Sequence, residues 1–249
     1  MLHEQEKGFD MKMLTRAAVL LAVVLAAVAP RAAAGYELVQ APLDNDPMAV
    51  SIYRLDNGLT VYLSENHDMP RFYAEIGVRA GSKNDPPETT GLAHYFEHLM
   101  FKGSERLGTV NYEKEKPLLE KIAALYEKHF NEDDPAKRAA LYERIDALNQ
   151  RAARYAVPNE LDKVYKSMGG KDINAHTWLE ETVYKTSLPP NRLRQWAMLE
   201  SDRFLHPVFR LFPTELETVY EEKNRALDNK NRVLYNAVNE QLYKVHPYG

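Results

Sequence analysis

Apolar and polar residues first alternate with a strand-like period over Val50–Leu55, Leu59–Glu65 and Phe72–Ala80. Asn57-Gly58 separates the first two segments, a dipeptide whose left-handed conformations suit a tight hairpin turn. A loop rich in turn formers, Gly81 to Glu88, leads to Thr89 or Thr90. Either of these can cap a helix carried by Leu92, Tyr95, Phe96, Leu99 and Met100. Between about residues 112 and 168 the composition shifts to Ala, Leu, Glu, Lys and Arg. One apolar stripe there is Leu118, Leu119, Ile122, Leu125 and Tyr126. After Asp134-Pro135, a cap followed by an N-terminal proline, a second stripe is Leu141, Ile145, Leu148 and Ala152. The pair predicts a helical hairpin whose stripes form core.

Gly169-Gly170 ends that region. Asp172–Thr177 and Thr182–Leu188 flank Trp178-Leu179-Glu180-Glu181 as a further strand pair, and Pro189-Pro190 opens a helix to about Leu205. Pro213 starts a last long helix through Leu216, Val219, Tyr220, Ala226, Leu227, Leu234, Val238 and Leu242. Strands, then helices, then strands, then helices predict an α+β fold rather than a regular βαβ alternation.

The N-terminus does not fit that scheme. Lys12 and Arg16 precede an apolar run from Ala17 to Ala29, followed by Pro30 and Ala32-Ala33-Ala34-Gly35. This is the make-up of a secretory signal peptide over residues 1–34, cleaved after Ala34. The run is short of the about 20 residues needed to span a bilayer, so no stable membrane span is expected in the mature chain. Translation starting at Met11 or Met13 would remove the polar residues that sit oddly ahead of the basic start. The expected location is periplasmic or extracellular.

The 249 residues contain no cysteine and carry a formal net charge of −4. Disulfides, thiolate metal sites and a cysteine nucleophile are thereby excluded, and nothing basic marks a nucleic-acid partner. Any metal site must be built from histidine and carboxylate.

The string that supplies them is His94-Tyr95-Phe96-Glu97-His98. On a helix, His94 and His98 differ by about 40° around the axis, so their imidazoles project side by side and can share one Zn²⁺. Glu97 lies to the other side of His94, within reach of a water on that metal but not itself a ligand. Such an arrangement suits metal-assisted hydrolysis with a carboxylate as base. Chance alone would produce H-x-x-E-H in a chain like this about 2% of the time.

The H-x-x-E-H order marks the inverzincins, and here the chain resembles the pitrilysin/insulinase family, which includes mitochondrial processing peptidase and insulin-degrading enzyme. Arg79-Ala80-Gly81-Ser82, Thr90-Gly91-Leu92-Ala93-His94 and Leu99-Met100-Phe101-Lys102-Gly103-Ser104 read like that family's active-domain block. Asn174-Ala175-His176-Thr177 with Thr182-Val183-Tyr184 is similar to the strand pair beside its active site. Glu215–Asp228 and His246-Pro247-Tyr248-Gly249 resemble its second metal-binding helix and the segment after it.

The resemblance implies an α+β metallopeptidase domain of the LuxS/mitochondrial-processing-peptidase-like type, with a mixed or antiparallel sheet packed against helices. This catalytic domain would occupy residues 35–249, C-terminally truncated, with the helical hairpin at about 112–168 as an insertion. One Zn²⁺ per domain is implied. So is a peptide or unfolded-protein substrate, and a homologous second domain or partner subunit.

The third ligand follows from helix geometry and from the resemblance. With Leu216, Val219, Tyr220, Ala226 and Leu227 as the buried face, Glu222 falls on its edge, Glu215 is nearly in line two turns earlier, and Glu221 points away. Lys223 falls inside the apolar arc, against the pattern. The family places its ligand Glu seven residues after an assisting Glu, the spacing of Glu215 and Glu222. The expected metal ligands are therefore His94, His98 and Glu222, with Glu97 and Glu215 catalytic or orienting.

Glu222 stands 124 residues after His98, more than is usual in the family, and the helical hairpin is the natural home of the excess. By resemblance, Asn174 and Ala175 bind an extended peptide along an edge strand. His67, His129, His206 and His246 lack metal spacing, and His176, near the site, reads as a packed or exposed strand histidine rather than a fourth ligand. These features predict a secreted zinc metalloendopeptidase. The alternative is a non-catalytic homologue or partner subunit that binds peptides.

Overall fold

The computed structural model describes residues 35–249. The expected signal peptide and its cleavage point lie outside the described residues. Two compact units are present, the first ending at Asp68 and the second spanning Met69–Gly249.

The first unit holds an antiparallel sheet of β1 (Tyr36–Gln40), β2 (Ser51–Leu55) and β3 (Thr60–Leu63) in that order. The Asn57-Gly58 hairpin is as expected. Gly58 takes φ +87°, its N–H bonds to Leu55 O, and Leu55 N–H bonds back to Leu59 O.

The second unit is built on the antiparallel sheet β4-β6-β5, formed by Phe72–Val78, Thr182–Leu188 and Lys171–Thr177. β6 lies in the middle and is the most buried of the three, in keeping with its Val, Tyr, Thr and Leu content. Among the described residues β5 is an edge strand, paired only with β6. The fold is therefore α+β with antiparallel sheets, as the element pattern indicates.

Helix α1 (Leu92–Met100) follows β4. The 112–168 segment is a helical hairpin, α2 (Tyr112–Phe130) and α3 (Pro135–Ala153), followed by a third helix, α4 (Glu160–Ser167), that the sequence pattern merged into it. Asp134 caps α3 by accepting from the N–H groups of Ala136 and Lys137, and Pro135 occupies the first turn. Leu118, Ile122 and Leu125 interlock with Ile145 and Ala152 to form the hairpin's own core. A second core joins α4 to the sheet through Leu161, Tyr165 and Leu188, with Phe101, Ile173 and Trp196 packed around them.

Helix α5 (Leu193–Leu205) is followed by two helices where one was expected. α6 (Phe212–Leu227) ends at Asp228, and Asn229 starts α7 (Lys230–Leu242) by accepting from Asn231 and Arg232 N–H. The apolar period runs through both and hides the break. Among the described residues no helix is long and apolar enough to cross a membrane.

Candidate metal centre

α1 carries the H-x-x-E-H string, and both of its ends are held. At the start, the carboxylate of Asp85 accepts from Gly91 N–H at 2.7 Å and Ala93 N–H at 2.8 Å. It satisfies free N–H groups and lies at the positive end of the helix dipole. Asp85 therefore does the capping assigned above to Thr89 or Thr90. Thr89 ends a separate short turn, Pro87–Thr89, and Gly91 stands at the cap position with φ +98°.

At the other end, Arg203 donates at 3.2 Å to Met100 O, a carbonyl the helix leaves unpaired, and Arg210 donates at 2.7 Å to Lys102 O just beyond the helix. Each arginine is buried and paired, Arg203 with Glu200 and Arg210 with Glu115.

The second half of the centre lies on α6. Tyr95 on α1 donates its hydroxyl to Phe212 O at 2.6 Å, and Tyr126 of the hairpin sets its ring edge-on to Phe212 at 5.0 Å. Leu211, just before, takes φ +56°, a left-handed backbone costly for a branched residue. The helix that follows turns Glu215, Val219, Glu222 and Ala226 inward, while Leu216, Tyr220 and Leu227 are 53%, 63% and 50% exposed. The buried face anticipated from apolar residues is thus rotated. It is centred on Val219 and the two glutamates, which also leaves Lys223 outside, on the exposed side.

His94 and His98 stand with ring centroids 4.9 Å apart, nearly perpendicular at 84°. The Nε2 atoms of both lie 3.4 Å from Glu222 Oε2. One donor atom from each of the three residues falls within 4.8 Å of the others, and no other His, Asp or Glu group among the described residues does so.

Two ligands on a tetrahedral zinc at about 2.0–2.1 Å are separated by about 3.3 Å, so the donor set and its spacing fit that ion. Glu221 is exposed.

On its other side, His98 Nδ1 lies 3.5 Å from Glu215 Oε2, and Glu215 Oε1 lies 2.5 Å from Lys102 Nζ. The Glu215 carboxylate at Nδ1 pushes the His98 pKa up against the opposing effect of burial. Burial would raise the Glu215 pKa, but hydrogen bonds from His98 and Lys102 outweigh it and hold the carboxyl below its ordinary value. A carboxylate fixed against the far nitrogen orients a ligating imidazole and selects its tautomer.

Glu97 is 7% exposed, and its Oε2 accepts from the Thr177 hydroxyl at 2.6 Å. Thr177 is the last residue of β5, so the edge strand ends at the centre. Asn174 and Ala175 lie on the same strand, opposite Lys185 and Tyr184 of β6. His176 is set apart, 3.7 Å from Glu181.

The turn after β5 is clasped from two sides. Ser82 and Lys83 N–H bond to the carbonyls of Trp178 and Leu179, and Glu180 takes Lys83 Nζ at 2.7 Å and the Tyr248 hydroxyl. Gly81 is needed for this approach, since a Cβ there would meet Trp178 O at 2.3 Å.

Three supporting residues escaped the sequence reading: Asp85, Lys102 and Thr177. Only Lys102 left a signal, four residues beyond His98 on the same helical side.

The sequence profile of the insulinase family (peptidase family M16) matches residues 60–124, which include all of α1. Protease 3 of Escherichia coli strain K12 is 29% identical over 177 residues, 66% of this chain. The coenzyme PQQ synthesis protein F of Pseudomonas syringae is 46% identical over 52 residues, 21% of this chain and 7% of that protein. A crystal structure of pitrilysin aligns over 85% of this chain and 16% of its own, at 21% identity and a TM-score of 0.45. The chain spans 17% of the length of Protease 3. The H-x-x-E-H helix lies inside the region matched by the insulinase-family profile, and over that region the chain is similar to pitrilysin/insulinase-family peptidases.

Proposed function

We propose that this chain is the metal-binding part of an exported zinc metalloendopeptidase that cleaves peptides or small unfolded proteins. The observation that carries the reading is the convergence of His94 and His98 Nε2 on one oxygen of Glu222, at 3.4 Å each. Three protein donors of this kind leave a fourth zinc position open, the hallmark of a catalytic rather than a structural site. Zinc held there supplies Lewis-acid polarisation of a carbonyl and acidifies water at neutral pH.

The chain's own groups do the rest. Glu97 takes the proton of the attacking water and returns it to the leaving amine nitrogen as the C–N bond breaks. Glu215, held by Lys102, keeps the His98 ring turned so that Nε2 faces Glu222. The edge of β5 that is unpaired among the described residues, with Asn174 and Ala175, takes up an extended substrate as an added strand. Such a clamp matters because much of the barrier reduction comes from holding the scissile bond in place. A homologous second domain or partner subunit completes the substrate chamber, and residues 1–34 direct export.

Glu97→Gln tests the reading against a peptide-binding, non-catalytic partner subunit. The substitution keeps the shape and the Thr177 contact but removes the base. Zinc content should stay at the wild-type level while peptide turnover falls about 10²–10⁴-fold or more. Equal turnover in the two proteins would remove Glu97 from its role.

A further inference from the structure

We propose that Thr177 is a positioning residue for Glu97, fixing one carboxylate oxygen so that the other is left to take the proton. The inference rests on the peptidase reading above and concerns a residue that reading does not use.

Its direction is fixed by donor bookkeeping. A carboxylate only accepts, so the 2.6 Å contact between Thr177 Oγ1 and Glu97 Oε2 is a hydrogen bond donated by Thr177. The neighbouring hydroxyl, Thr182 Oγ1, lies 3.3 Å from Thr177 Oγ1 but has its own proton committed to Ala80 O at 2.9 Å. Thr182 can therefore only accept from Thr177, and at 2.6 Å against 3.3 Å the Glu97 oxygen is the nearer and charged acceptor for the Thr177 proton. Among the described residues, Oε2 is the engaged oxygen of Glu97.

The support is rigid. Thr177 and Thr182 are directly opposed, the last pair of β5 and β6 before the turn. Thr182 is buried, and both are β-branched, with restricted χ1. Glu97 by contrast has three rotatable side-chain bonds. A short hydrogen bond to an ionised oxygen is among the stronger kinds, and here it ties a flexible carboxylate to the strand that carries Asn174 and Ala175. The carboxylate and the proposed substrate strand are thus set relative to each other through one residue. An error of about 1 Å in that setting costs on the order of 10²-fold in rate.

The test compares zinc-loaded wild type, Thr177→Val, Thr177→Ser and Glu97→Gln. Valine keeps the size and strand preference and deletes the hydroxyl; serine restores it. Four readouts are taken: zinc affinity by chelator competition, thermal unfolding, kcat and KM on an unstructured peptide, and the Glu97 side-chain position in crystals of each variant. In the valine variant, kcat should drop about 10- to 100-fold with KM within about twofold, and the Glu97 carboxylate should leave its wild-type position. Zinc affinity and thermal unfolding should stay as in wild type, and serine should restore both rate and position.

A valine variant with Glu97 unmoved, or with wild-type kcat while Glu97→Gln is inactive, would overturn the proposal. So would a rate loss that follows zinc loss. Glu97→Gln as active as wild type would overturn the peptidase reading and the proposal with it.

Discussion

His98 and Glu215 meet at 3.5 Å on the side of the imidazole away from Glu222, and Lys102 holds the same carboxylate at 2.5 Å. The ring is thereby caught between two glutamates seven residues apart on one helix. One faces the metal position, and the other sets the ring's tautomer.

Glu215→Gln should accordingly weaken zinc binding about 10- to 100-fold, the usual cost of losing a carboxylate behind a ligating histidine. Competition with a graded chelator measures it. An unchanged affinity would reduce Glu215 to a partner of Lys102 alone.

Asp85→Ala should lower stability by about 1 kcal/mol, the typical cost of losing a side-chain cap. Two N–H groups at the start of α1 lose their acceptor. Urea denaturation reads the change, and Thr90→Val should leave the midpoint in place, since the Thr90 side chain caps nothing.

The Arg210–Glu115 pair makes a larger prediction. Glu115 is fully enclosed and Arg210 is 2% exposed, bonded to the carboxylate and to the carbonyls of Lys102, Ser104 and Leu107. Arg210→Met strands a buried carboxylate and takes a donor from three carbonyls, of which Leu107 O keeps the Ser104 N–H, so it should cost about 3–5 kcal/mol. Combining it with Glu115→Gln should recover part of that loss, since the buried charge is gone. Additive losses in the double variant would show that the two side chains do not act as a unit.

Local chemistry made the elements legible. Asn57-Gly58, Asp134-Pro135 and Gly169-Gly170 mark turns and caps through their own backbone preferences, and the four-residue spacing of His94 and His98 places both rings on one face. On α6 the apolar period alone points to the wrong buried face. The face that turns in carries Glu215 and Glu222, with Leu216, Tyr220 and Leu227 left outside. A polar working surface inverts the usual rule, and of the five apolar positions only Val219 and Ala226 face inward. The contact of Thr177 with Glu97 joins residues 80 apart, and no period or spacing could announce it. The break at Asn229 was masked because the apolar period continues on both sides of the cap.

Zinc content after equilibrium dialysis, measured side by side for wild type, Glu222→Gln and Glu221→Gln, bears most directly on the centre. The two substitutions are chemically identical and one residue apart, so they differ only in which way the side chain faces. Wild type and Glu221→Gln should each hold about one zinc per chain, and Glu222→Gln should hold clearly less at the same free zinc concentration. A wild-type chain that retains no zinc, or a Glu222→Gln chain that retains as much as wild type while Glu221→Gln loses it, would contradict the centre formed by His94, His98 and Glu222.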